Sequence, residues 1–297
     1  MKKHSLQNRL RQSQMNLFYL PALILFSVFV IYPFIKGIFI STTNWNGYSQ
    51  NYKSVGIKNY LRLFTDKNVR TALINTLIYG FGSTLIQNVL GLALAMFLNE
   101  KFRGRSVLRA IIYMPVMIAP LIMGYIMYFL FSYNRGALND IVMLFGGEAV
   151  DWMANGPRAV ILMTLVNALQ FVGISMVVYL AGLQNIPSMY YEAAALDGVR
   201  PFDQFRYITL PLLHPAVTSA VTVNLIGGLK LYDIISALTS VGPGYASHSL
   251  STLVHRTYFG AENAGYASAI GLFTFLLIMV ISSIVTRILA AKEVEVS

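Results

Sequence analysis

The chain has 297 residues, of which 56% are hydrophobic and 11% are charged, whereas a soluble domain carries roughly 25% charged residues. This composition excludes a soluble globular enzyme. The chain has no cysteine and four scattered histidines, which excludes a disulfide framework, a thiolate nucleophile and a clustered metal site. The net charge of +10 comes from basic residues grouped between long apolar runs, a pattern typical of a polytopic membrane protein rather than a nucleic-acid-binding protein.

Charge-free windows predict six transmembrane helices in an all-α polytopic membrane protein with a single transmembrane domain over residues 1–297. Because backbone groups in hydrocarbon must be paired internally, a helix of about 20 apolar residues is the expected unit. The predicted spans cover residues 14–35, 72–98, 110–132, 159–183, 208–229 and 265–286. A further charge-free stretch, between Asp233 and Arg256, is rich in Ser, Gly and Pro, and we predict a loop there with a re-entrant or surface portion.

The distribution of Lys and Arg favours a cytoplasmic location for both termini. Six spans put the termini on one side, where 12 of the 22 basic residues lie, densely packed in the tails and in short connections such as residues 100–109. The remaining basic residues are spread through longer loops. No cleavable signal peptide is apparent, because the first apolar run is too long and no small-residue cleavage site follows it.

Residues 41–69, between the first two spans, contain an amphipathic pattern. Its apolar residues lie at helical spacing opposite its basic residues, namely Ile57, Tyr60, Leu61 and Phe64 against Lys58, Arg62 and Lys67. This pattern fits a helix lying on the membrane surface. It fits a solvated loop helix equally well, so the sequence leaves both interpretations open.

The connection between the fourth and fifth spans, residues 187–211, predicts a helix, a turn and a second helix. Ser188 is placed to cap the first helix, Gly198 to end it, and Pro201 to begin the second. Small and acidic side chains on the first helix offer a flat docking surface for another protein: Ala193, Ala194 and Ala195, with Glu192 and Asp197. The alternative is a routine surface loop with an alanine-rich helix.

This connection resembles the EAA loop of permease subunits in binding-protein-dependent ABC importers. The matching positions are Glu192, Ala193, Ala194, Gly198, Ile208, Thr209, Leu210 and Pro211. Shorter stretches in family order, GIKNYLRLFTD, FRGRSVLRAIIYMP and GLKLYDIISALTSVGPG, narrow the resemblance to the carbohydrate-type permeases, similar to the maltose and glycerol-3-phosphate importers. Residues 240–243, Ser-Val-Gly-Pro, depart from the commoner family run of three glycines and a proline.

The resemblance implies a type I ABC importer permease fold and a mechanical role for the loop. In the resembled proteins the EAA helix pair sits in a cleft of a cytoplasmic ATPase subunit and transmits closure of the ATPase dimer to the spans. We expect Gly198 to permit the turn, and Leu210 and Pro211 to fix the angle into span five. The full set of expected coupling residues is Glu192, Ala193, Ala194, Asp197, Gly198, Ile208, Leu210 and Pro211.

The resemblance also implies partners. The chain has no G-x-x-x-x-G-K-[ST] motif, so we expect it to hold no cofactor and to rely on ATP and Mg²⁺ bound by a partner. Six spans without an inverted repeat form half a pathway, which implies a homologous second permease in a heterodimer. Two cytoplasmic ABC ATPases, an extracytoplasmic solute-binding protein and a carbohydrate complete the expected set. The expected location is the plasma membrane of a bacterial or archaeal cell.

Polar residues inside the spans are candidates for the substrate path, because lipid exposure of such residues is unfavourable. Asn167 and Gln170 lie three residues apart on one face of span four. Gly227 and Gly228 in span five match positions where the resembled family contacts solute. Other intramembrane polar residues are expected to serve structure through bonds to neighbouring helices: Asn75, Gln87, Asn88 and His214.

The predicted function is therefore uptake of a carbohydrate, such as an oligosaccharide or a related polyol. An importer of a phosphate ester, amino acid or polyamine is the second interpretation. An intramembrane enzyme would need buried Ser/His or paired aspartates, and the six predicted spans contain no Asp or Glu, so we predict no catalytic residue and no metal site. A scaffold without transport is a further alternative, for which substitution of Asn167 or Gln170 would leave growth on every sugar unchanged.

Overall fold

The computed structural model describes residues 19–239 and 244–291. Within these ranges the chain forms helices and loops but no strand, and one isolated antiparallel bridge joins Thr43 and Ser54. Three features of the sequence lie outside the described residues. They are the basic N-terminal tail, the first five residues of the predicted span 14–35, and the Ser-Val-Gly-Pro run at 240–243.

The helices are numbered along the described chain. They are α1 (Tyr19–Ser41), α2 (Lys58–Thr65), α3 (Lys67–Asn99), α4 (Arg105–Met117), α5 (Pro120–Phe131), α6 (Ala137–Leu144), α7 (Gly156–Gln184), α8 (Met189–Leu196), α9 (Pro201–Leu212), α10 (His214–Leu229), α11 (Asp233–Thr239), α12 (Leu250–His255) and α13 (Ala264–Ala290). Short π-helical turns lie within or next to several of them, including Ile78–Gly82 in α3 and Arg256–Gly260 after α12.

Four described helices are long and apolar enough to cross a membrane, namely α1, α3, α7 and α13. Two bent pairs, α4 with α5 and α9 with α10, raise the number to six when each pair counts as one span. The prediction of an all-α membrane fold is confirmed. The described part of each predicted span overlaps one of these helices or pairs.

The described residues divide into two compact units. One comprises residues 19–63 and 255–272, and the other comprises residues 64–239, 244–254 and 273–291. In the first unit, the backbone N–H of Gly265 donates to the carbonyl of Trp45 at 2.9 Å. This bond joins the loop after α1 to the beginning of α13.

Helix α7 is the centre of the second unit. The side chain of Asn155 accepts a hydrogen bond from the Arg158 N–H at 3.1 Å and so caps the helix. No charged residue follows Arg158 within the helix, which packs against α3, α4 and α10. Its buried face contributes Val160 and Met163 to an apolar core that also contains Tyr79.

The span predicted at 110–132 is not one straight helix. Helix α4 ends at Met117 and α5 begins at Pro120, with a bend of 98° between them. Proline lacks an N–H and disfavours helical geometry in the preceding residue, and Ala119 is accordingly extended, with ψ of 134°. The carbonyl of Ile118 at this break accepts a hydrogen bond from Gln170 Nε2 at 3.0 Å, so a side chain of α7 replaces the missing helix bond.

The span predicted at 208–229 is also broken. Residues 208–212 belong to α9, which is bent by 67° from α10. The break lies at Leu213, and Pro211 and Pro215 flank it. The two prolines remove backbone donors on both sides of the break, which accounts for its position.

Residues 247–250, within the stretch predicted as a loop, are buried in the second unit, and Ala246 is half-buried. Asn75 Nδ2 donates to the carbonyls of Ala246 and His248 at 2.8 and 3.0 Å. The hydroxyl of Tyr79 donates to the Ser247 carbonyl at 2.8 Å, and the Leu250 N–H donates to the Thr76 hydroxyl at 2.9 Å. We call residues 246–250 the anchored segment. Of the two alternatives predicted for this stretch, a surface portion is wrong for residues 246–250, because α3 side chains pair with their backbone, and a re-entrant portion stays a prediction. The stretch is also not a loop throughout, since it begins with α11 and ends with α12.

We expect Asn75→Ala to loosen the anchored segment, because it leaves two carbonyls without their buried donor. The unfolding free energy should fall by about 1–3 kcal/mol, and hydrogen exchange in peptides covering the segment should become faster. Ile74→Ala is the control, since Ile74 is an exposed neighbour on the same helix, and its effect should stay within about 0.5 kcal/mol. Equal thermal midpoints and exchange rates in the two variants would contradict this account.

Candidate functional site

Helix α8 and the first part of α9 form a helical hairpin that contains the EAA-like residues. Helix α8 ends through two backbone bonds around Gly198, which has a left-handed φ of 68°. The Gly198 N–H donates to the Ala195 carbonyl at 3.2 Å, and the Val199 N–H donates to the Ala194 carbonyl at 3.0 Å. This is the Schellman arrangement, in which a glycine without Cβ avoids the cost of the left-handed conformation.

The hairpin is held closed by side chains. The hydroxyls of Tyr191 and Thr209 lie 3.0 Å apart and join α8 to α9. Gln204 Nε2 donates to the Val199 carbonyl at 3.2 Å, which fixes the turn onto α9. Pro201 occupies the first turn of α9, as the sequence predicts. Ser188 is the N-cap residue of α8, as the sequence predicts, but its side chain makes no capping hydrogen bond.

The expected coupling residues differ in their access to a partner. Glu192, Ala193, Asp197 and Gly198 are exposed, Leu210 is partly exposed, and Ile208 and Pro211 are half-buried. Ala194 is only 5% exposed because it faces into this chain, so it does not belong to a docking surface formed with Ala193. The sequence also predicts that Leu210 and Pro211 fix the angle into span five. The bend lies at Leu213, which Pro211 and Pro215 flank.

Sequence reasoning missed the apolar side chains exposed on this hairpin. Leu196 is 90% exposed, Phe202 69% and Met189 65%. Leu196 directly precedes the exposed Asp197 and lies one helical turn after the exposed Glu192. Exposed apolar side chains next to charged ones are common in protein-binding surfaces.

A cavity of about 470 Å³ lies between α3, α7 and α10 in the second unit, within the range of roughly 300–1,000 Å³ that is typical of small-molecule sites. Helices α3, α7 and α10 contribute amides, glycines and apolar side chains to its lining. The turn at residues 230–233 contributes charged, apolar and aromatic side chains. The lining residues are Gln87, Pro120, Asn167, Phe171, Ile174, Val223, Asn224, Ile226, Gly227, Gly228, Lys230, Leu231, Tyr232 and Asp233.

The structure separates the two amides that the sequence groups on one face of span four. Asn167 lines the cavity, one helical turn before Phe171. Gln170 does not line it, because its side chain is directed to the α4–α5 break, where it donates to the Ile118 carbonyl. Gln170 therefore has a structural contact at the α4–α5 break, and the structure does not bring it to this cavity.

The two glycines of span five have different environments. A Cβ on Gly227 would meet no atom within 4 Å, as expected for a residue facing open space in the cavity. A Cβ on Gly228 would lie 2.8 Å from Ser83 Oγ and 2.9 Å from the Gly80 Cα. Gly228 thus allows α10 to pack closely against the π-helical turn of α3, in addition to its place in the lining.

Two further amides line the cavity, Gln87 and Asn224. The sequence predicts a role in helix packing for Gln87 and no role for Asn224. Gln87 Nε2 donates to the Asn167 carbonyl at 3.0 Å, while no donor among the described residues reaches its buried Oε1 atom. Asn224 Nδ2 donates to the Ser175 hydroxyl at 2.5 Å. Asn88 accepts from the Tyr179 hydroxyl at 2.5 Å and has the interhelical role that the sequence predicts. Gln87 therefore lines the cavity, while its Oε1 atom is an unpartnered buried acceptor among the described residues.

Gly228→Ala should destabilise the protein, because the added methyl group overlaps Ser83 and Gly80 of α3. Overpacking of this kind costs about 1–3 kcal/mol, and thermal unfolding in detergent should shift to lower temperature. Gly227→Ala, one position earlier in the same helix, should leave the midpoint unchanged or slightly higher. A midpoint that falls equally in both variants would show that the contact of α3 with α10 is not specific to Gly228.

Comparison with known proteins gives a consistent family. Residues 87–293 match the family described as binding-protein-dependent transport system inner membrane component. The trehalose/maltose transport system permease protein of Thermococcus litoralis is 33% identical over 279 residues, which cover 93% of this chain and 94% of that protein. The multiple sugar-binding transport system permease protein of Streptococcus mutans is 35% identical over 280 residues, covering 94% and 95% of the two chains.

A solved structure shares the fold. It is a chain of a bacterial ABC transporter involved in the import of the acidic polysaccharide alginate, and it matches with a TM-score of 0.82 over 96% of this chain and 98% of that chain. The sequences are 22% identical, so this likeness concerns the fold alone.

Proposed function

The chain belongs to the family of inner membrane components of binding-protein-dependent transport systems, and we propose that it forms half of the translocation pathway of an ATP-driven carbohydrate importer. It is a transport subunit rather than an enzyme. The observation that carries the carbohydrate assignment is its identity of at least 33% with two sugar-transport permeases across more than nine-tenths of its length.

The partners follow from the architecture and the family. A homologous second permease completes the pathway, and two cytoplasmic ATPases bind Mg²⁺ and ATP and hydrolyse the ATP. An extracytoplasmic solute-binding protein delivers the sugar; a solved alginate transporter with 23% identity to this chain is in complex with such a protein. Both termini lie in the cytoplasm of a bacterial or archaeal cell, on the same side as the α8–α9 hairpin.

The hairpin is suited to transmit force. Its two helices are joined by the Tyr191–Thr209 bond, so a push on α8 moves α9 with it. Helix α9 continues through Leu213 into α10, and α10 supplies Asn224 and Gly227 to the cavity. An ATPase that grips Glu192, Asp197 and the exposed Leu196 thus acts directly on one wall of the cavity.

The cavity is suited to a sugar. Hydroxyl groups both donate and accept hydrogen bonds, and the amides of Asn167, Gln87 and Asn224 provide both types of partner. Phe171 and Tyr232 add aromatic surface for the apolar face of a sugar ring.

Asn167→Ala should weaken recognition of the sugar. Loss of one hydrogen bond, about 0.5–1.5 kcal/mol, predicts a rise in the half-saturating sugar concentration of up to about tenfold. The assay is uptake of radiolabelled maltose or trehalose into proteoliposomes that contain the assembled importer and its binding protein. Leu169→Ala, an exposed position on the same helix, is the control. Unchanged uptake by the Asn167 variant at all sugar concentrations would remove this residue from the path.

Gly198→Val should impair transmission between the ATPase and the spans, so that both stimulated ATP hydrolysis and uptake fall. A branched side chain in the left-handed conformation costs about 1–2 kcal/mol, which opens the turn between α8 and α9. Gly198→Asn is the matched control, because asparagine tolerates this conformation and a Cβ here meets no atom within 4 Å.

The measurement is ATPase activity stimulated by the sugar-loaded binding protein, alongside uptake. We expect roughly a tenfold loss of both in the valine variant and near-normal values in the asparagine variant. Full activity in the valine variant would contradict the coupling role of the turn.

A further inference from the structure

Helix α2 carries an exposed apolar edge that the transport function does not explain. Leu61 is 58% exposed, and Ile57, whose carbonyl accepts the Leu61 N–H at 3.0 Å, is 67% exposed. The next position of the same edge on α2 is Phe64, which is 83% exposed. At 3.6 residues per turn these positions fall within one narrow stripe along the helix.

The opposite side of α2 is fixed to the end of α1 within the first unit. Asn59 Nδ2 donates to the carbonyls of Ser41 and Thr43 at 2.8 and 2.9 Å. The Tyr60 hydroxyl lies 2.5 Å from the Ser41 hydroxyl, and Leu63 is 6% exposed. The orientation of α2 is therefore set by the chain itself, and the apolar stripe faces outward because the other face is occupied.

The stripe lies on a helix that is bound to the end of a candidate membrane span. Helix α1 is a candidate membrane span in which large apolar side chains are exposed up to its last turns, including Ile35, Ile38 and Phe39. Ser41 is the last residue of that helix, and α2 is bound to it. Helix α2 thus lies where the first span reaches the boundary of the hydrocarbon layer.

Basic side chains border the stripe. Lys58 and Arg62 are both exposed and lie on one flank of α2, since they follow Ile57 and Leu61 by one residue each. The Arg62 guanidinium also lies 4.1 Å from the centre of the Tyr266 ring. An apolar edge next to a basic flank is the arrangement of helices that lie in a bilayer interface, with cations among anionic headgroups.

We propose that α2 is an interfacial membrane anchor, with Ile57, Leu61 and Phe64 inserted below the headgroups and Lys58 bound to anionic lipid phosphates. The anchor holds the end of α1 at the membrane surface through the Asn59 and Tyr60 bonds. This inference concerns the contact of the chain with lipid and is independent of the solute that it transports.

This chain has no cysteine, so each introduced cysteine is its single labelling site, and the same complex with the unsubstituted chain gives the signal of labels on the accompanying subunits, which is subtracted. Ile57→Cys and Leu61→Cys report the stripe, and Lys58→Cys is the matched control on the basic flank. The protein, purified with the subunits that accompany it, is reconstituted in vesicles of equal parts phosphatidylcholine and phosphatidylglycerol. Collision of each label with oxygen, which partitions into lipid, is compared with collision with a water-soluble nickel chelate.

We expect the ratio of oxygen to nickel collisions to be severalfold higher at positions 57 and 61 than at position 58. Equal ratios at all three positions, with free access of nickel, would overturn the proposal in favour of a solvated helix. Labels at 57 and 61 that are immobile and shielded from both reagents would overturn it in favour of a protein partner on the stripe. Replacing phosphatidylglycerol with phosphatidylcholine should lower the ratio at 57 and 61, and an unchanged ratio would refute the role of anionic headgroups.

Discussion

The pairing of backbone polar groups in a medium without water is the constraint on which the second unit depends. A continuous helix satisfies its own groups, but each interruption leaves a donor or acceptor that must find a partner inside the protein. Gln170 provides that partner at the α4–α5 break, and Asn75 provides it for the anchored segment. Buried amides are therefore what permit broken spans and a non-helical segment within this unit.

Buried amides also line the candidate substrate cavity. Asn167, Gln87 and Asn224 are amides on three different helices that meet around one space, and the Oε1 atom of Gln87 is left without a donor among the described residues. The close approach of α3 and α10 at Gly228 brings two of these helices together. A site assembled in this way can change shape when α10 moves, since one wall belongs to the helix that follows the coupling hairpin.

Local features were predictable from the sequence, and long-range ones were not. The turn at Gly198 and the start of α9 at Pro201 follow from rules about neighbouring residues, as do the positions of the spans. The separate roles of Asn167 and Gln170 could not be predicted, because helical periodicity places both on one face and only the position of the α4–α5 break distinguishes them. Burial of the anchored segment depends on Asn75 and Tyr79, more than 160 residues earlier in the chain. The burial of Ala194 likewise depends on how α8 packs, which composition does not reveal.

The central claim is that this chain works as one membrane subunit of an importer driven by separate ATPases. The most direct test is affinity purification of the tagged protein from its native membrane in mild detergent, followed by mass spectrometry of the proteins that accompany it. The account predicts a second permease of the same family and an ATPase with a phosphate-binding loop. Recovery of this chain alone, or as a homodimer without an ATPase, would contradict it.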